Sequence, residues 1–149
     1  MRKYSRVLFF IFSFVLLGFT AFQSYAESIE GNWKIKTEYT VILIKECEKQ
    51  SWCADIVGFF GPVNSDMNDE EVAKLCDARI LEGLEKKDKK YQNGTFYDVL
   101  SNDKYNLSGG FDEEVFKIRV YKGVTWLGET LELERTEEIE FPCSVDASN

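Results

Sequence analysis

The sequence contains no histidine, and its 149 residues include only two prolines and two methionines. Without histidine the commonest general base and the usual nucleophilic triads are missing, so the chain reads as a protein that is not an enzyme. Carboxylate neighbours such as Glu113 and Glu114 point to opposite faces of a strand, which is the wrong arrangement for shared acid–base work. Four cysteines are present, but paired C-x-x-C spacing is absent, so no zinc site and no cofactor are expected. Asp66, Asn68 and Glu71 lack the twelve-residue loop with central glycine and closing glutamate that calcium requires, and they are better explained as helix capping. Positive charge is in short supply: 18 Lys and Arg stand against 26 Asp and Glu, a net charge of -8. That balance argues against nucleic acid and anionic membrane surfaces. It suits solubility, or a basic protein partner.

Long apolar runs are also scarce. One spans Val7 to Leu17, interrupted by Ser13, and falls short of the roughly 18 to 20 residues a membrane-spanning helix needs. Arg2, Lys3 and Arg6 precede it, and Ser24-Tyr25-Ala26 offers small residues at a cleavage point. Residues 1–26 therefore read as a secretory signal peptide cleaved before Glu27, with no membrane insertion afterwards and a periplasmic or secreted destination. Cleavage removes three basic residues and leaves 15 against 26 acidic ones, a charge of -11. The remainder is the size of one domain, read as 27–136, followed by an acidic tail over 137–149.

All four cysteines lie beyond the leader, and an even count in an exported chain predicts two disulfides with three possible pairings. Cys47 and Cys53 flank the polar Glu48-Lys49-Gln50-Ser51 between two strand-like runs, so hairpin pairing brings them into register. Cys76 with Cys143 follows by elimination and tethers the tail.

Strand signals dominate the rest of the chain. Gly31 to Ile35, Tyr39 to Glu46, Trp52 to Phe60, Ala78 to Leu84 and Tyr91 to Val99 read as strands, the last broken at Asn93-Gly94. Glu85 to Lys90 reads as an exposed connection, Ser101-Asn102-Asp103 and Gly109-Gly110 as turns, and Lys104 to Leu107 as a further strand. Glu114 to Lys122 alternates, with Phe116, Ile118 and Val120 on one face and Arg119, read as a solvated charge, on the other. A last strand from Val124 to Arg135 aligns Leu127, Glu129, Leu131, Leu133 and Arg135. The helical exception follows Asn68, with Glu71 completing a capping box. This pattern predicts a mainly β fold, an antiparallel up-and-down barrel of about eight strands with one short helix after the third.

Gly31-x-Trp33 on the first strand and Arg135 on the last resemble the device by which lipocalin-like barrels close one end, an arginine stacked on an indole. Further along, Ile80-Leu81-x-Gly83-Leu84, Tyr91-x-Asn93-Gly94-x-Phe96-Tyr97-Asp98, Asp103-Lys104-Tyr105, Phe116-Lys117-Ile118-Arg119-x-Tyr121 and Leu127-Gly128-x-Thr130 follow in order. Taken together these resemble the bacterial family called domain of unknown function 2147, secreted proteins with a lipocalin-like barrel. The chain departs from the family's usual pattern at Tyr91, Asn93, Val99, Val120 and Leu133, where tryptophan, glycine, proline, glycine and tryptophan are typical. The resemblance implies a barrel closed by Trp33 and Arg135. A barrel of this size can hold one small ligand, and the expected function is an exported binding protein for a mostly apolar molecule. The inward candidates are Trp33, Phe116, Ile118 and Leu131, with Glu129 as a polar group on the apolar face. The alternative is an acidic envelope protein that inhibits or binds a basic protein such as a lysozyme.

Overall fold

Alternating apolar residues on successive hairpins leave one face of each strand needing cover, and a sheet that closes on itself supplies it. The computed structural model describes residues 28–48, 50–61 and 67–143. Residues 1–27, with the expected cleavage before Glu27, lie outside the described residues, as do Asp66 and 144–149 of the tail.

The strands are β1 (Gly31–Ile35), β2 (Thr40–Glu48), β3 (Ser51–Phe59), β4 (Arg79–Lys87), β5 (Lys90–Asp98), β6 (Asp103–Asp112), β7 (Val115–Tyr121) and β8 (Glu129–Arg135). Each pairs antiparallel with the next, and β1 pairs with β8, so the eight form a closed barrel. A helix, α1 (Asp69–Leu75), follows β3. Its capping box is complete: the Glu71 N–H donates to Asn68 Oδ1 at 3.0 Å, and the Asn68 N–H donates to Glu71 Oε2 at 3.1 Å. The described part of the tail adds a two-residue strand, β9 (Phe141–Pro142), on β3 opposite Gly58 and Phe59. There β4 has already diverged, so β9 covers an otherwise open edge.

Both disulfides are formed, Cys47–Cys53 with Cα atoms 5.9 Å apart and Cys76–Cys143 with Cα atoms 5.1 Å apart. The first depends on an irregularity in the hairpin. Lys45 pairs with Cys53 and Glu46 with Trp52, but the register shifts before Glu48, and Cys47 sits in that shift.

Three local expectations are corrected. Gly109 and Gly110 do not turn the chain; they lie inside β6, which continues to Asp112. A Cβ on Gly109 would come within 3.0 Å of the Lys117 carbonyl and 3.1 Å of the Phe116 ring, so glycine is there for close approach to β7. The turn falls instead at Glu113, whose φ of 55 is left-handed, between the paired Asp112 and Val115. Glu85 to Lys90 is not a long connection either: β4 and β5 run on to Lys87 and Lys90, with Asp88 (φ 58) in the turn. Charged side chains are tolerated in these strand ends because they point into water. Lastly, Val124 to Gly128 is not strand. Thr125–Leu127 forms one 3-10 turn, and β8 begins only at Glu129.

On the outer wall Asp55 anchors β2, β3 and β4. Its carboxylate accepts from Arg79 Nε at 2.6 Å and Nη2 at 3.2 Å, and lies 2.7 Å from Lys45 Nζ. The Arg79 hydrogen bond does most to hold its pKa below the usual carboxylate value; partial burial opposes this, and Lys45 adds to it. A depressed folded-state pKa means stability that is present above the unfolded value and lost as pH falls through the folded one. Asp55→Asn is therefore expected to cost about 1 kcal/mol at neutral pH and to flatten the loss of stability below about pH 4, read by urea denaturation across that range.

Candidate functional site

The two ends of the barrel differ. At the end where the chain enters β1, aromatic rings fill the interior: Phe116 lies 5.0 Å from Phe111, 5.3 Å from Tyr91 and 5.9 Å from Trp33, centroid to centroid. Trp33 Nε1–H donates to the Ile29 carbonyl at 2.8 Å, so the buried indole leaves no donor unpaired. The Arg135 guanidinium stacks over that indole at 4.3 Å. It also donates to the carbonyls of Ser28 and Glu30, tying the incoming chain across the barrel floor. Gly31 (φ 123) makes room for this, since a Cβ there would meet Arg135 Nη1 at 2.9 Å.

The opposite end opens into a cavity of about 870 Å³. Its depth is apolar, with Ile35, Ile56, Ile80, Phe96, Val120 and Leu131 on the wall. Its rim comes from the loops: Glu38 and Tyr39 between β1 and β2, Met67 and Leu75 around α1, Leu100 and Ser101 between β5 and β6, and Leu127 and Gly128 before β8. The rim mixes polar side chains with exposed apolar ones, Leu100 and Leu127 among them, and Trp126 beside it is 76% exposed.

Arg119 is not a free surface charge. Its guanidinium donates to the carbonyls of Thr125 and Trp126 at 2.9 and 3.2 Å and to Thr130 Oγ1 at 2.9 Å, holding the loop that presents Trp126 beside the opening. At the neighbouring loop of the rim, between β5 and β6, Asp98 accepts from the N–H groups of Leu100 and Ser101 at 3.1 and 3.2 Å. The Ser101 side chain does most to hold the Asp98 pKa below its usual value, against partial burial and with help from those two N–H groups.

Of the five residues singled out as ligand contacts, Glu129 and Leu131 lie on the cavity wall. Trp33, Phe116 and Ile118 do not. They are buried to 1% exposure or less and form the packed floor beneath it. Alternation along a strand identifies the inward face correctly in all of these, but it carries no information about height along the barrel axis. The loop residues of the rim lacked any periodic signal. Among the described residues no cluster of three or more acidic or cysteine side chains is arranged to hold a metal ion, and no helix is long and apolar enough to cross a membrane.

No curated relative matches the sequence. Among solved structures the chain is similar to protein HP1028 from Helicobacter pylori, which is described as belonging to the lipocalin family. The TM-score is 0.57 at 13% identity, over 74% of this chain and 84% of that one. At that identity the likeness concerns the fold, a lipocalin-like barrel. The family model described as "Uncharacterized protein conserved in bacteria (DUF2147)" matches residues 31–135, from the glycine beside Trp33 to the arginine that covers it, and the chain belongs to that family.

Proposed function

We propose that this is an exported, non-catalytic binding protein that holds one small, mostly apolar ligand in the open end of its barrel. The observation that carries the reading is the contrast between the ends. One is plugged by Trp33, Tyr91, Phe111 and Phe116, while the other keeps a cavity of about 870 Å³ with an apolar depth and a polar-edged mouth. That volume lies within the range of small-molecule sites, roughly 300 to 1,000 Å³. Leu131 and Glu129 would touch the ligand directly; Trp33, Phe116 and Ile118 would support the floor. Two disulfides suit a compartment outside the cytoplasm, periplasmic or secreted. In this reading 1–26 is the leader, 27–136 the barrel and 137–149 the tail held by Cys143.

Native mass spectrometry of protein isolated from its own envelope tests it. A co-purifying small-molecule mass is the expected result. A ligand-free chain, or a chain in complex with a basic protein, would count against this reading and, in the second case, support the inhibitor alternative.

A further inference from the structure

The charges around the mouth are unequal. Four charged side chains lie on the cavity wall: Glu38, Asp98, Glu129 and Lys122. Lys122, the one cation among them, is already satisfied, with its Nζ 3.1 Å from Asp103 Oδ1 and 4.7 Å above the Tyr105 ring. Asp98 is turned to its own loop through the Leu100 and Ser101 N–H groups. Glu129 and Glu38 have no ion-pair or side-chain hydrogen-bond partner among the described residues, although Arg119 stands on the neighbouring β7 and Lys36 on the same 3-10 turn as Glu38. Arg119 is committed to Thr125, Trp126 and Thr130, and Lys36 to Glu134.

Glu129 stands on the inward face of β8, two residues above Leu131, where the apolar depth meets the opening. Tyr39 and Tyr121 also line the cavity, and the faces of such rings attract cations. The surplus of carboxylates over the whole chain, a net charge of -8, would draw cations toward the mouth.

We propose that the ligand is a cationic amphiphile, an amine or quaternary ammonium head on an apolar body, with the body against Leu131 and Ile80 and the head between Glu129 and Glu38. This rests on the cavity being the binding site. An anionic head would meet two uncompensated carboxylates. A neutral hydroxyl head could donate a hydrogen bond to one of them but would gain no charge attraction.

The test uses three probes of equal chain length, decyltrimethylammonium, decanol and decyl sulfate, each below its micelle concentration and at low salt. Each is titrated against a neutral apolar dye bound to the disulfide-intact protein. The ammonium is expected to displace the dye about tenfold more tightly than the sulfate, with decanol between them, a modest ratio because the mouth is wet. In the double variant Glu38→Gln with Glu129→Gln that ratio is expected to fall to about threefold or less, and added salt is expected to compress it similarly. A sulfate that competes as well as the ammonium, or a ratio unchanged in the double variant, overturns the cationic head while leaving the cavity reading intact. A protein from which none of the three displaces dye overturns both.

Discussion

Trp33→Ala is expected to lower the unfolding free energy by about 3 to 5 kcal/mol, the largest effect of any single side chain in the barrel. Three losses coincide there. The indole is 1% exposed and packs on Phe111 and Phe116, so truncation leaves a cavity in the floor. The Ile29 carbonyl loses its donor, and the Arg135 guanidinium loses the ring 4.3 Å beneath it. Trp33→Phe keeps most of the packing but not the hydrogen bond, and is expected to cost roughly half as much. Arg135→Lys keeps the charge but not the planar stack and its paired donors, and about 1 kcal/mol is expected. Urea denaturation under oxidising conditions gives the order directly. A Trp33→Ala cost below that of Arg135→Lys would show that the floor is held by something other than this indole.

Replacing both members of the Cys76–Cys143 pair by serine should remove about 4 kcal/mol, whereas replacing Cys47 and Cys53 should remove about 2 kcal/mol, on the loop-entropy account. The difference follows from the sequence separations, 67 residues against 6. The longer link does more than restrict the unfolded chain. It holds the end of α1 against the segment that carries β9, where the Cys143 N–H donates to the Val57 carbonyl at 2.9 Å. Gly58 allows that contact, because a Cβ there would lie 2.6 Å from the Phe141 carbonyl oxygen. Melting curves of the two double variants test the ranking, and a larger drop for the Cys47 and Cys53 variant would contradict it.

Much of this arrangement can be read from local sequence because short-range chemistry decides it. Asn68 and Glu71 are spaced for reciprocal capping, and the cap forms as spaced. The alternation of Phe116, Ile118 and Val120 fixes their common face, since the side-chain period of a strand is two. What sequence leaves open is whatever depends on contacts between distant strands. Gly109-Gly110 has the composition of a turn, yet Lys117 and Phe116 on the neighbouring strand press so closely that glycine is needed within β6. Trp33, Phe116, Ile118, Leu131 and Glu129 all face inward, but only the three-dimensional stack separates plug from pocket. The role of Arg119 follows from the path of the Thr125–Leu127 turn, which no pattern in β7 announces.

The central claim is that the open end of the barrel, and not its outer surface, takes an apolar ligand. Leu131→Trp tests it most directly, because Leu131 lies on the cavity wall and the larger ring would fill the space in which a ligand sits. An environment-sensitive apolar dye is titrated into the native chain and the variant, with a denaturation midpoint measured for each to show that both are folded. The account predicts saturable binding at one site in the native chain and a loss of at least about tenfold in the folded variant. Equal dye binding by the two, or none by the native chain, would contradict it.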